Sequence, residues 1–534
     1  MALDRHYWLW DLILLAMLAL GLRLQGLGHL SFYSDEAQNA LVARIYLQTG
    51  HFRLPSGRPE PNGLTYKWIT AELFRWFGES EWIARFPSAL CGLLVTVWIY
   101  LWGSHWFGPW TGRWAGLIYA VWPWSVTWGR VGRFYNLQQF LFFLIVTACW
   151  RMLENNSIDR PIIEPPIVGG KRASPIATVR RMFSLAALTL LSLATSVTTA
   201  VSLVFLPSYL LFRLVWSYRR GGLKDSEFVR TVRAVGASAV MLVAGVGFLY
   251  WYDPRVIGIA VESTRFPRVP AFYLEFFRNN FGLLFMAGLV SGSVMAVYSK
   301  GRQGWLVFSC VVGPLAVHSL LLPHYRPRFV YYVFPFVVLL SALPLGWSSE
   351  RIETWFRRCL IVPKAPKNVQ IVACLVVVLG TWSVVENVFV AERGTAEVVA
   401  GSPYTLAREV ADWRGMAEWV SPYRERAKIV TTDAILCTYY LNRCDAVYPY
   451  LYGPEMKSHW HTGSPVFPDA ESLLGKLNEW DETLILGTRR KFESTARSNP
   501  EGERLWKTLR AGSAEIWEGS LEVAFRWIKP KTSS

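Results

Sequence analysis

The chain has 534 residues, 52% of them hydrophobic and 27 of them Trp, and a formal net charge of +16. Apolar runs long enough for a hydrocarbon core recur along most of it, which excludes a soluble globular class and reads as a polytopic membrane protein. The positive balance does not point to nucleic acid. Basic residues gather between apolar runs, at Lys171-Arg172, Arg180-Arg181, Arg219-Arg220, Lys300 with Arg302, Arg357-Arg358, and Lys364 with Lys367. That is the positive-inside pattern of loops that meet anionic headgroups.

The first apolar segment runs to about Leu27, lacks a small-x-small exit, and reads as a retained span. About eleven spans follow from a 19-residue window. They centre near Leu18, Leu93, Leu117, Phe143, Ala187, Phe205, Val243, Met286, Val312, Val337 and Val377. Met182 to Trp216 decides the parity. One straight helix of that length would measure about 50 Å, too long for a ~30 Å core. Both flanks are basic, so two short spans joined near Thr195-Ser196-Val197-Thr198-Thr199 are expected. This topology makes residues 1–390 a transmembrane domain with a cytoplasmic start.

The first outer loop, about residues 29–80, carries apolar and aromatic residues at helical spacing over Ala37 to Tyr46 and Leu64 to Phe77. Both stretches read as amphipathic helices in the membrane interface. Pro55, Gly57, Pro59, Pro61 and Gly63 separate them. After Val390 the chain turns polar. Strand-like Lys428 to Thr432 and Leu484 to Gly487 alternate with helical Ala411 to Trp419 and Ala434 to Leu441, so residues 391–534 read as an extracytoplasmic α/β domain.

Of seven cysteines, only Cys437 and Cys444 lie in this polar region. A helix returning directly to a strand, across Asn442-Arg443, brings them within reach of a disulfide. No cysteine or histidine spacing resembles a zinc site.

Three groups carry possible chemistry. Asp35-Glu36 stands just past the outer end of the first span. It reads either as a general base beside a carboxylate that orients the acceptor or a cation, or as the acidic first turn of an interfacial helix. The two are compatible, because a helix start holds a carboxylate rigidly. Arg130 and Arg133 flank Val131-Gly132, and His324-Tyr325-Arg326-Pro327-Arg328 forms a second cluster on the same face. Arginine at a boundary snorkels or clamps a lipid phosphate; two clusters on the face where cations are scarce favour the clamp. Lys67 lies among aromatics in Leu64-Thr65-Tyr66-Lys67-Trp68 and reads as snorkelling or as a further phosphate contact. No Gly-rich phosphate loop is present.

The order of these motifs resembles the protein O-mannosyltransferase and aminoarabinose transferase superfamily, integral-membrane glycosyltransferases of the GT-C type. The resemblance rests on Ser34-Asp35-Glu36-Ala37, Leu64-Thr65-Tyr66-Lys67-Trp68, and Phe77-Gly78-Glu79-Ser80-Glu81-Trp82-Ile83-Ala84-Arg85-Phe86-Pro87-Ser88-Ala89. Arg130-Val131-Gly132-Arg133-Phe134-Tyr135 and Arg326-Pro327-Arg328-Phe329-Val330-Tyr331-Tyr332 are similar to the family's two arginine segments. It covers about residues 1–350. It implies a sugar on a polyprenyl monophosphate as donor and transfer at the outer face to a lipid, glycan or protein acceptor. It implies Asp35 as base with Glu36 beside it, and Arg130, Arg133, Arg326, Arg328 and Lys67 as donor-phosphate contacts. Tyr66, Tyr135 and His324 are then expected to line the substrate pocket. Two departures stand out: Asn136 where relatives carry an acidic residue, and Pro61-Asn62-Gly63 where some carry Lys-Pro-Pro. No cofactor is expected, with a divalent cation near Asp35-Glu36 left open. The rival is a lipid-linked sugar flippase, against which stands the gathering of charge at one surface, not at the midplane.

Overall fold

The computed structural model describes residues 4–153, 175–196, 198–219, 247, 269–322, 325–361, 412–448, 457–519 and 521–529. The chain divides into two compact units. One comprises Met1–Leu24, Ser88–Gly129 and Phe134–Ala391; the other comprises Gln25–Pro87, Arg130–Arg133 and Glu392–Ser534. The sequence boundary at residue 390 assigns the outer-loop helices to the membrane domain. The structure packs them with C-terminal residues instead.

The helices in chain order are α1 (Asp4–Leu24), α2 (Ser34–Thr49), α3 (Leu64–Phe77), α4 (Glu81–Phe107), α5 (Pro109–Val121), α6 (Pro123–Gly129) and α7 (Tyr135–Leu153). Then come α8 (Pro175–Thr195), α9 (Thr199–Ser202), α10 (Phe205–Arg219), α11 (Phe272–Ser299) and α12 (Gly301–Leu320). A 3-10 turn at Pro327–Val333 leads into α13 (Phe334–Ile361).

Among the described residues, five helical segments are long and apolar enough to cross a membrane: Glu81–Phe107, Tyr135–Leu153, Phe272–Ser299, Gly301–Leu320 and Pro327–Trp355. The chain is a multi-pass membrane protein. The expected spans near Val243 and Val377 lie outside the described residues. The span expected near Leu117 is shorter than a bilayer requires. Trp122 is extended (ψ 129) ahead of Pro123, so α5 stops after 13 residues, about 20 Å. The stretch from Met182 to Trp216 does break between Thr195 and Thr199. Thr195, Thr199 and Ser202 hydroxyls donate to the carbonyls of Leu191, Ser192 and Thr199. The hydroxyls thus fold back onto the main chain around the break, so that these polar groups are satisfied locally in an apolar setting.

The membrane unit is knit by aromatic rings. Trp124 meets Tyr331 at 4.9 Å and Phe334 at 5.1 Å, and Phe143 stacks on Phe336 at 4.8 Å. Gly292 brings α11 against the Leu340 carbonyl of α13, where any Cβ would clash. Arg23, near the end of α1, is fully buried in this unit. It donates to the carbonyls of Ala19 (2.9 Å) and Ala120 (3.1 Å), so it caps the C-terminal end of α5.

The other unit contains α2, α3, the first turns of α4 and the C-terminal elements. These are α14 (Trp413–Val420), β1 (Lys428–Thr431), α15 (Ala434–Leu441), β2 (Ala446–Val447), α16 (Ala470–Glu479), β3 (Glu482–Thr488), α17 (Arg489–Ser498), α18 (Pro500–Gly512), β4 (Glu515–Glu518) and β5 (Glu522–Ile528). The strands form one sheet in the order β2-β1-β3-β5-β4. β1 is parallel to β2 and β3, whereas β5 is antiparallel to β3 and β4.

Strand alternation separates two cores. Val430 and Ile485 pack with Leu473 of α16 and Leu505 of α18. Ile429, Leu484 and Leu486 pack with Trp413, Met416, Ile435 and Leu436. Ala37, Ala40 and Leu41 of α2 and Phe74 of α3 join that second core. One face of each outer-loop helix is therefore buried against protein, while Trp68, Trp76 and Phe77 of α3 stay exposed.

The disulfide expected between Cys437 and Cys444 is corrected. The helix, turn and strand lie as read, with Asn442 left-handed at φ 51. Both thiols are nevertheless free. Cys437 Sγ donates to the Arg443 carbonyl at 3.2 Å, Cys444 Sγ lies 3.6 Å from the Ala446 carbonyl, and the two thiols are in hydrogen-bond contact with each other without a bridge.

Candidate active site

The site is built on the start of α2. Tyr33 precedes the helix in an extended conformation, and Asp35 and Glu36 occupy its first turn. Successive helical residues diverge by about 100°. Asp35 and Glu36 therefore point in different directions and meet different surroundings: the Asp35 side chain keeps 31% of its surface exposed, that of Glu36 only 2%.

Glu36 is enclosed. Arg85 binds it in a bidentate fork, Nε to Oε1 and Nη2 to Oε2, both at 2.8 Å. The Gly132 N–H donates to Oε1 at 2.5 Å and the Tyr33 N–H to Oε2 at 3.3 Å. Arg85 uses its remaining donors on the carbonyls of Leu27, Leu30 and Ser31 at 2.8–3.0 Å, with its guanidinium 5.2 Å from the Phe32 ring. One charge pair thus ties α2, α4 and the residue 130–133 loop together. Asn39 adds a second tie, its amide donating to the Gly132 carbonyl at 3.0 Å. A Cβ on Gly132 would stand 3.3 Å from Glu36 Oε1, tight enough to strain this junction.

The junction delivers Arg133 to Asp35. Nη1 donates to the Asp35 main-chain oxygen at 3.1 Å, and Nη2 stands 3.4 Å from Oδ2. Arg130, in the same loop, is half-buried. Burial lowers its pKa, and the nearby Arg85 charge adds to that.

Lys67 does not snorkel. It is 1% exposed, with Nζ 3.3 Å from Glu60 Oε1 and donating to the Asn62 carbonyl at 2.5 Å. Burial brings its pKa down to about 8; Glu60 works against that, and the neighbouring Arg133 charge adds to it. Glu60 is fixed in turn by Gln38 Nε2 at 3.1 Å. Lys67 therefore reaches back over the Pro61-Asn62-Gly63 turn, where some relatives carry Lys-Pro-Pro. Tyr66 is not a pocket residue here, because it is buried and its hydroxyl donates to the Ala84 carbonyl at 2.7 Å.

Asp35, Glu36, Lys67, Arg130 and Arg133 all lie in this unit. Tyr135, Arg326 and Arg328 belong to the membrane unit. There Tyr135 is buried against Trp128 at 4.6 Å, Arg326 is exposed ahead of the 3-10 turn, and Arg328 lies over Phe329 at 5.5 Å. His324 lies outside the described residues. Sequence reading assigned no role to Arg85 or Glu60. The Arg85 signal was present in the Ala84-Arg85 motif; Glu60 had none. A divalent cation does not fit Glu36, whose oxygens are taken. Among the described residues no three His, Cys, Asp or Glu side chains converge as metal ligands would.

C-terminal residues support the same junction. Tyr440 Oη donates to Glu81 at 2.8 Å and accepts from the Phe32 N–H at 2.7 Å. Arg44 of α2 pairs with Glu79 at 2.7 Å and lies 4.6 Å from the Tyr439 ring.

Residues 60–160 match the family model described as dolichyl-phosphate-mannose-protein mannosyltransferase. No curated protein matches the chain. ArnT from Cupriavidus metallidurans, solved bound to undecaprenyl phosphate, is similar with a TM-score of 0.59 at 14% identity, over 97% of this chain and 98% of its own. The oligosaccharyltransferase AglB from Archaeoglobus fulgidus, solved with an inhibitory peptide and a dolichol-phosphate, is similar with a TM-score of 0.59 at 10% identity, over 99% of this chain and 75% of its own. The resemblance read from the sequence motifs is borne out: the chain has the fold of these integral-membrane GT-C glycosyltransferases.

Proposed function

We propose that the chain is a glycosyltransferase that moves a sugar from a polyprenyl-phosphate donor to an acceptor hydroxyl at the outer membrane face. The observation that carries this reading is the contrast within the acidic pair. Glu36 is locked into the scaffold, while Asp35 stays partly exposed beside Arg133, whose charge is in turn felt by the buried Lys67. In the reaction the acceptor oxygen forms a bond to the anomeric carbon. The bond from that carbon to the phosphate oxygen breaks, its electron pair leaves with the polyprenyl phosphate, and the acceptor proton passes to Asp35.

The residues suit these steps. A carboxylate within reach of an acceptor hydroxyl raises its nucleophilicity by general-base catalysis. Charge grows on the leaving phosphate, and preorganised cations stabilise it. Arg133 and Lys67 are such cations; Arg130 stands in the same loop as Arg133. The 3.4 Å contact between Arg133 and the Asp35 carboxylate exceeds the 2.7–2.9 Å of a strong charge-assisted bond. Glu36 and Arg85 act as positioning residues, because every contact of their pair is to the scaffold. Arg326 and Arg328 are further donor contacts on this reading. The resemblance supports a lipid-linked donor, and the similar ArnT and AglB structures were solved with undecaprenyl phosphate and a dolichol-phosphate. The C-terminal residues are proposed to lie outside the cytoplasm.

The test is transfer of labelled mannose from polyprenyl-phosphate mannose to an envelope extract of the host by the purified chain. Incorporation that Asp35→Asn abolishes supports the reading. Incorporation unaffected by that change, or donor lipid translocated without any transfer, refutes it.

A further inference from the structure

Two tight loops meet beside the acidic pair in the unit that carries it. The first spans residues 52–60. Leu54 N–H donates to the Arg58 carbonyl at 2.8 Å, and Glu60 N–H to the Phe52 carbonyl at 3.1 Å. The second spans residues 458–465. His459 N–H donates to the Ser464 carbonyl at 2.7 Å, and Gly463 N–H to the His459 carbonyl at 2.8 Å. This second loop hangs from the edge of the sheet, because Val447 of β2 donates to the Pro465 carbonyl at 2.9 Å and accepts from Phe467 N–H at 3.0 Å.

The loops are fastened to each other. Ser56 N–H donates to the His461 carbonyl at 3.0 Å, and the Arg58 guanidinium lies 3.6 Å from the centre of the Trp460 ring. Glu60, at the end of the first loop, is held by Lys67 and Gln38 within a turn of Asp35 on α2. His461 is half-buried here, in electrostatic contact with both Glu60 and Asp35. Its ring lies 5.5 Å from that of His459 in the same loop. Its main-chain carbonyl makes the loop-to-loop bond, which leaves the ring's role separate from that bond.

We propose that His461 is an acceptor-binding residue of the glycosyl-transfer site, its imidazole hydrogen-bonding the acceptor beside Asp35. The inference rests on the transfer reading above. A neutral imidazole offers one donor and one acceptor nitrogen, which suits a sugar or side-chain hydroxyl. Burial keeps the ring below its usual pKa; Glu60 and Asp35 pull the other way, and Arg58 adds to the lowering. The ring is therefore neutral near pH 7 and does not compete with the donor-binding cations for the phosphate. The scheme gives the C-terminal part of the chain a direct share in acceptor choice.

The experiment uses the full-length protein, polyprenyl-phosphate mannose carrying labelled mannose, and a host envelope extract titrated as acceptor. His461→Ala is expected to raise the half-saturating amount of extract about tenfold, the scale of one lost hydrogen bond to a substrate. Half-saturation by the donor should stay within about twofold. His461→Gln, which keeps a donor and an acceptor atom, should recover part of the loss; His461→Phe should not. Equal effects on donor and acceptor saturation, or none in any of the three variants, overturn the role of His461 while leaving the transfer reading standing. A wild-type protein that transfers no label overturns the transfer reading, and the role of His461 with it.

Discussion

Two buried arginines show how differently the two units handle charge. Arg85 meets a carboxylate, Glu36, in a two-pronged bond at 2.8 Å. Arg23 in the membrane unit meets main-chain carbonyls and the Ser125 hydroxyl, and no carboxylate among the described residues pairs with it. Burying an ion costs several kcal/mol after relaxation. A carboxylate partner offsets that cost but makes each half depend on the other. Helix-end carbonyls offset less and leave no stranded charge when the arginine is removed. The matched pair therefore builds a rigid frame, beside which Asp35 stays partly exposed with its carboxylate 3.4 Å from Arg133.

The largest expected effect tests that last statement. Asp35→Asn should lower turnover by about 10²–10⁴, the usual range for loss of a general base. It should scarcely move the melting temperature, because Asp35 is not part of the buried frame. A variant that unfolds would place Asp35 in the frame and break the contrast.

Next come the frame residues. Arg85→Met strands Glu36 in the interior and should cost about 3–5 kcal/mol of stability. Glu36→Leu combined with Arg85→Met should regain most of it, yet remain inactive because the residue 130–133 loop loses its anchor. Denaturation of both variants in detergent micelles decides this. Arg23→Met should cost less, about 1–3 kcal/mol, for carbonyls left unbonded. An Arg23 penalty equal to that of Arg85 would show that carbonyls match a carboxylate as partners.

A smaller effect concerns pH. Lys67 loses its proton near pH 8. On the proposed role, donor binding through its ammonium is therefore complete below that value and falls as pH rises through it. The limb should appear in kcat/KM for the donor, which reports the free enzyme, and Lys67→Arg should remove it. The sign for stability is opposite. Because the folded value lies below the ordinary 10.5, the unfolded chain binds the extra proton between about pH 8 and 10.5, so this residue's contribution to stability rises with pH there. The smallest effect is at Cys437 and Cys444. Both should react with a thiol reagent in unfolded, unreduced protein, and reductant should leave the melting temperature unchanged.

Much of the scaffold was legible in the residues. Periodicity marked α2 and α3, and the length of the stretch from Met182 to Trp216 between basic flanks marked the break between α8 and α9. The length of apolar runs marked the membrane class, because spanning a bilayer imposes a local, one-dimensional requirement. The acidic pair and its arginine loop were legible as motifs. Their division of labour was not. Adjacent carboxylates look equivalent in sequence; a helical turn sends Glu36 into the interior and Asp35 toward solvent.

Sequence by itself determined what depends on near neighbours: which segments are apolar and which stretches form helices. Tertiary structure alone decided what depends on distant partners. It closed Arg85 on Glu36 across 49 positions, returned Lys67 to Glu60 instead of to the membrane surface, and grouped the outer-loop helices with the C-terminal sheet. It also brought a histidine within electrostatic range of Asp35 from more than 400 positions away. The physical reason is that a buried charge is stable only beside whatever neutralises it, and that neighbour is chosen by packing in space, which no local pattern records.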